Sequence, residues 1–202
     1  MATRRRRTES EPVRREQLLG AARRVFREKG YNGATISDIV REAGVAQGTF
    51  YLYYSSKNAI AISLMEGVME RMASAAESAM KSEASFEMKL GTLIGASFQV
   101  ARQNADLFAL AFIGADETHP EMHSESREHA SILNTATDLF SEAIGAGDMK
   151  TMDPKIAARL VIGLMQHAII EAFVSGEGEG DEPERLEQGV RVLLANALVR
   201  QP

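Results

Sequence analysis

Apolar residues recur along this chain three and four apart, the spacing of one face of an α-helix, from near its start to its end. Ser10 and Pro12 open the first such segment, with Leu18, Leu19, Ala22, Val25 and Phe26 on one stripe and Gly30 at its stop. Thr35 is placed to cap a shorter second helix. Asp38 stands three residues on, in the acidic place of a capping box, and Ile36, Ile39, Val40 and Ala43 share a face. Gly44 ends that helix, because a residue just past a helix end often takes a left-handed backbone, and Val45 can then pack back into the turn. A third helix, over about residues 46–53, is too short to be stable alone. Phe50 and Tyr54, at i and i+4, are its core residues, and Gln47, Thr49 and Tyr51 are left outward.

Longer helices follow. One beginning after Lys57 carries Ile60, Leu64, Met65, Val68, Met69, Met72 and Ala76 and reaches about residue 82. The next spans about 85–103 with Phe86, Leu90, Leu93, Ile94 and Phe98, and Asn104 starts another with Leu107, Phe108, Ala111 and Phe112. Pro120 opens a helix through Ile132, Leu133, Leu139 and Phe140 to Gly145, and Asp153-Pro154 is a cap and first position for one to about 175. An acidic, glycine-rich stretch at 176–182 reads as a loop, and Pro183 opens the last helix to about 199. No strand period or repeat appears, so the pattern predicts an all-α chain.

Two short helices joined by a glycine turn form a helix-turn-helix, and the residues on the second suit DNA. Gly48 lets a backbone approach closely, Thr49, Tyr51 and Lys57 can donate to phosphate oxygens, and Gln47 can read a base edge. With Thr35, Ala46 and Tyr53 they make up the candidate DNA-binding set. Charge supports this separately. Residues 1–57 hold 12 Lys and Arg against 6 Asp and Glu, whereas residues 58–202 hold 11 against 22, within a net charge of −5. One basic end on an acidic protein directs a single face to a polyanion. The run Arg4 to Arg7 extends into a groove, lies along phosphates or stays a solvated tail.

The segment Gly44-Val-Ala-Gln-Gly-Thr-Phe-Tyr-Leu-Tyr-Tyr-Ser-Ser-Lys57 resembles the signature of the TetR family of bacterial transcriptional repressors, as do Ala21-Ala22, Val25-Phe26, Gly30-Tyr31 and Thr35 to Ile39 upstream. The resemblance covers about residues 13–65 and is close, with one departure: Leu52-Tyr53-Tyr54 stand where many members carry His residues and a Phe. It implies an N-terminal three-helix helix-turn-helix domain, here 1–57, followed by a helical ligand-binding and dimerisation domain, 58–202. It implies a homodimer on a double-stranded DNA operator, with the last two helices meeting their mates as a four-helix bundle. The candidate interface is Leu160, Leu164, Ala168, Val190, Leu194 and Leu198. It also implies an inducer pocket in the middle helices, for which Met65, Met69, Met72, Phe98, Arg102, Phe108, Phe112 and His167 are the candidates. Met and Phe fill irregular apolar space, so a small hydrophobic inducer such as a fatty acyl compound or an aromatic is expected. The same segment is also similar to that of fatty-acid-responsive members.

Other chemistry finds little support. With 45% hydrophobic and 25% charged residues, no Cys, no apolar run of roughly 18 residues and no secretion signal, the composition predicts a cytoplasmic protein without disulfides or a membrane partner. His119, Glu121, His123 and His129 lie in an acidic stretch interrupted by Pro120, and no metal site is expected there. No phosphate loop, nucleophile elbow or His-Glu-x-x-His motif occurs, so neither an enzyme nor a cofactor is expected. The rival reading is a helical small-molecule binding module or hydrolase with an incidental basic N-terminus.

Overall fold

A computed structural model describes residues 10–108, 127–175 and 181–200. Among these the chain is helical, with one isolated antiparallel bridge between Met149 and Val199. It divides into two compact units, Met1–Leu64 and Met65–Pro202.

The first unit holds α1 (Glu11–Gly33), α2 (Ile36–Ala43), α3 (Gln47–Tyr51) and the start of α4 (Lys57–Met80). Before its last turn α1 buries Leu18, Ala21, Ala22, Val25 and Phe26, at i, i+3, i+4, i+7 and i+8, with Tyr31 buried beyond them and Leu19 only half-buried. Gly30 takes φ 70°, which kinks the end of α1, and the expected stop therefore lies within its last turn. Ile39, Phe50 and Ile60 are fully buried from three other helices, so the unit has its own core. The first turns of α4 belong to that core, which carries the unit past Lys57, the boundary expected from the sequence, to Leu64.

The caps of α2 are as the sequence predicts, whereas Ser10 stands at the N-cap of α1 without a side-chain hydrogen bond to it. The Thr35 hydroxyl accepts from the Asp38 amide at 3.1 Å while the Asp38 carboxylate accepts from the Thr35 amide at 3.2 Å, closing a capping box. Gly44 is left-handed at φ 66°, and the Val45 amide then donates to the Val40 carbonyl at 3.0 Å. Gln17 donates from Nε2 to the Ala43 carbonyl at 2.6 Å, tying α1 to the end of α2.

The second unit holds the rest of α4, α5 (Phe86–Gln103), α6 (Arg127–Ala146), α7 (Pro154–Ile170) and α8 (Glu182–Leu198). A π-helical turn, Glu171–Ser175, prolongs α7 to the residue expected. Ser85 and Asp153 cap α5 and α7, accepting from the amides of Met88 and Ile156. The core joins Phe86, Ile94 and Phe98 of α5 to Phe140 of α6, Ala158 of α7 and Leu194 of α8, with Phe86 edge-on to Phe140 at 6.0 Å. Arg191 of α8 donates to the Gly91 carbonyl of α5 at 2.5 Å. Its guanidinium occupies the space a Cβ at Gly95 would need, so two small residues on α5 seat a large one from α8.

Candidate nucleic-acid interface

The third helix is five residues long, so its place is set by anchors rather than by its own ladder. Phe50 is fully buried, with Tyr51 edge-on at 5.5 Å and Tyr54 at 5.9 Å. Tyr54 is 5% exposed, and its hydroxyl is buried without a hydrogen-bond partner among the described residues. The Arg15 guanidinium of α1 lies over the Tyr54 ring at 5.2 Å and the Tyr53 ring at 6.0 Å. With these residues turned inward, α3 presents Ala46, Gln47, Gly48 and Tyr51 to solvent; Thr49 and Tyr53 are half-buried. No side chain caps the start of α3, and the Thr49 amide turns back on the Ala46 carbonyl at 2.9 Å.

Gly48 is informative because the fold does not need it. Its φ is unexceptional, and a Cβ added there would meet nothing within 4 Å. A helical glycine costs about 1 kcal/mol relative to alanine. Nothing among the described residues offsets that cost, and the open space leaves room for a groove or backbone to approach.

Two candidates are otherwise employed. Lys57 donates from Nζ to the carbonyls of Tyr31 at 2.7 Å and Ala34 at 3.0 Å, with the Tyr31 ring centroid 4.4 Å away. Burial pushes its pKa below the usual lysine range, and the carbonyls and ring oppose that shift. Lys57 is therefore a staple between the end of α1 and the start of α4, with two of its three N–H donors used within the fold. We expect Lys57→Ala to cost the first unit about 1–3 kcal/mol by leaving two carbonyls without their charged donor. Its salt dependence of DNA binding should match that of the wild type. All four tyrosines lie at positions 31, 51, 53 and 54 and there is no Trp, so intrinsic fluorescence during unfolding of the full chain reports this unit. A salt slope flattened by about one unit would return Lys57 to the phosphate set. The Thr35 hydroxyl is likewise absorbed in the cap, donating to Asp38 at 2.8 Å, so Thr35 reaches the interface by position rather than by a free donor.

Beneath this face Asp38 joins the elements. Its carboxylate pairs with Lys29 of α1 at 2.8 Å and with Arg41 of α2. These bonds, first those from Lys29 and Thr35, hold its carboxyl well below the usual carboxylate range. Sequence reasoning found Asp38 as a cap but missed Lys29 and Arg41 as its company, and Arg15 as the cation over Tyr53 and Tyr54. It also missed Leu52, which is 79% exposed.

The candidate pocket residues divide. Phe98 is fully buried and edge-on to Phe173 of the π-helical turn at 6.2 Å, and Met72 and Phe108 pack partly buried against the same core. The Arg102 guanidinium lies 5.7 Å from the Phe173 ring centroid and pairs with Glu184 at 2.7 Å. Met65 and Met69 are half-buried on α4. His167 is exposed, beside the buried Ala168 but on the outer face of α7, so the structure does not bring it to Phe98. Phe112, like Arg4 to Arg7 and the segment with His119, Glu121 and His123, lies outside the described residues, as does the side chain of His129. Among the described residues no three His, Asp or Glu side chains gather as metal ligands.

The expected subunit interface needs correction. Ala168, Val190, Leu194 and Leu198 are between 4% and 7% exposed and belong to the core of their own chain, and Leu164 packs partly buried against it. Leu160 alone of that set is open, at 63%. The unpartnered apolar positions are Ile156 and Leu160 on α7 and Val192 and Leu193 on α8. Gly163 and Gly189 lie on these outer faces, again with nothing within 4 Å of an added Cβ. The helix and π turn Pro154–Ser175 are also long and apolar enough to cross a membrane by length and composition, with mean hydropathy 1.5 and 28% buried, which the sequence reading did not foresee. Its inner face is held by the core through Ala157, Ala158, Ala168 and Ile169, and the outer face is a stripe rather than a girdle.

Comparison with known proteins agrees with this geometry. Residues 18–64 match the family model described as bacterial regulatory proteins, tetR family. The chain is 29% identical over 184 residues to the uncharacterized HTH-type transcriptional regulator YvdT of Bacillus subtilis, covering 91% of this chain and 94% of that protein. It is 28% identical over 155 residues to a fatty acid metabolism regulator protein of the same organism, covering 76% and 80%. Among solved structures, the transcriptional regulator FadR from Bacillus subtilis in complex with stearoyl-CoA superposes with a TM-score of 0.76 at 27% identity, covering 89% of this chain and 96% of that one. An outward α3 on a basic helix-turn-helix, the family match on the same residues and a likeness that runs through both units agree: the chain belongs to the TetR family of bacterial transcriptional regulators.

Proposed function

We propose that this regulator acts as a repressor: a homodimer holds a palindromic operator and releases it when a small molecule with a long acyl chain enters the second unit. The observation that carries the DNA part is the outward face of α3, where Gln47, Gly48 and Tyr51 are exposed on a helix anchored by Phe50. The dimer part rests on the open stripes of α7 and α8, since one helix-turn-helix reads only a few base pairs and a two-fold pair is the usual route to specificity. The acyl part rests on the similarity to the regulator in complex with stearoyl-CoA, together with an interior that gathers Phe98, Phe173 and Met72 at one core, with the Arg102 guanidinium beside the Phe173 ring. Helix α4 runs from the first unit into the second, so a ligand that displaces it can change the spacing of two reading heads without touching the DNA.

The test uses the full chain on the duplex upstream of its own gene. Stearoyl-CoA is expected to weaken binding at least tenfold, and coenzyme A alone to leave it unchanged. Binding that no acyl compound releases removes the inducer, whereas absence of any specific duplex removes the DNA reading. On the same duplex, Gln47→Ala should change preference at one base pair per half-site by about 1–3 kcal/mol, while Tyr51→Phe weakens all sequences nearly alike. Equal weakening of every sequence by Gln47→Ala would place that side chain on the backbone.

A further inference from the structure

Among the described residues Leu52 is the most open of the large hydrophobic side chains, at 79%, and it sits beside Tyr51 at the end of the proposed reading helix. It follows the last residue of α3 but keeps helical backbone, φ −72° and ψ −22°, so it stands one turn beyond Gly48 on the same stripe. Above Gly48 there is open space: beyond its chain neighbours and the helix's own backbone, nothing, the Leu52 side chain included, lies within 4 Å of where a Cβ would be. The result is a bare patch of helix surface at Gly48 with an exposed isobutyl side chain one turn further on. A leucine has no donor for a phosphate and no acceptor for a base amine. The apolar group that a base pair displays in the major groove is the C5-methyl of thymine.

We propose that Leu52 is a specificity-determining residue that packs on the 5-methyl of a thymine seated over Gly48, so that each half-site favours T at that position. This rests on the DNA reading above and adds to it a base identity that polar contacts from Gln47 do not supply. Contact with deoxyribose is the competing use of an exposed leucine, and it would carry no sequence preference.

The probe is a duplex selected from random sequence by the full chain, with its thymines replaced one at a time by deoxyuridine, which lacks only the methyl. Burial of one methyl is worth about a three- to fivefold change in affinity. The wild type is expected to lose that factor at one thymine in each half-site, and Leu52→Ala to bind more weakly but to be indifferent to the same replacement while keeping any sensitivity elsewhere. Being exposed, Leu52 can be truncated without opening the core. A Leu52→Ala protein that loses as much as the wild type at every thymine overturns the proposal, as does a wild type indifferent to all replacements. Failure to select any duplex is a different result and removes the DNA reading itself.

Discussion

Leu160→Glu is expected to convert the protein to monomers that keep their helical content and lose operator affinity on the order of 100-fold, because linking two heads on one duplex multiplies affinity without new contacts. Leu160 is 63% exposed on α7, so a glutamate there is solvated in the single chain and becomes costly only when a second copy covers it. Leu194→Glu should behave differently. That side chain is 4% exposed within its own core, and a buried, unpaired carboxylate destabilises the second unit by several kcal/mol. Loss of helical signal or aggregation should precede any clean dissociation. Sedimentation of both variants decides the matter: a Leu160→Glu protein that remains dimeric at micromolar concentration would place the subunit contact elsewhere.

The contrast between these two leucines also shows how far the sequence could be read. Helix α8 has apolar residues on two faces, Val190, Leu194 and Leu198 on one and Val192 and Leu193 on another. Spacing identifies both as candidate contacts, but which face meets its own chain depends on where α5 lies, through pairs a hundred residues apart such as Arg191 and Gly91. Local signals fared better because their physics is local. The Thr35 and Asp38 capping box, the left-handed Gly44 and the Asp153 cap each close within a few residues. Lys57 marks the limit: its match to a family signature says that a cation is wanted there, yet only the fold shows that the recipients are the carbonyls of Tyr31 and Ala34.

Acid is expected to loosen the first unit through one carboxylate, Asp38. A carboxyl whose folded pKa lies well below its unfolded one contributes stability that is fully present above the ordinary aspartate range, near pH 4, and is lost as pH falls through that range toward the folded value. Asp38→Asn keeps an oxygen that can accept from the Thr35 amide but discards the pairs with Lys29 and Arg41. Its tyrosine-detected unfolding midpoint should therefore fall well below that of the wild type at pH 7, and the gap should narrow as pH is lowered toward 3. Thr35→Ala removes the hydroxyl side of the cap and no charge, so it should cost about 1 kcal/mol at both pH values. The two variants separate capping from charge. Because α2 sets the angle at which α3 is presented, Asp38→Asn should also weaken operator binding even where the unit remains folded. A gap between Asp38→Asn and wild type that stays constant from pH 7 to pH 3 would show that Asp38 acts as a neutral cap alone, and that Lys29 and Arg41 are bystanders at the surface.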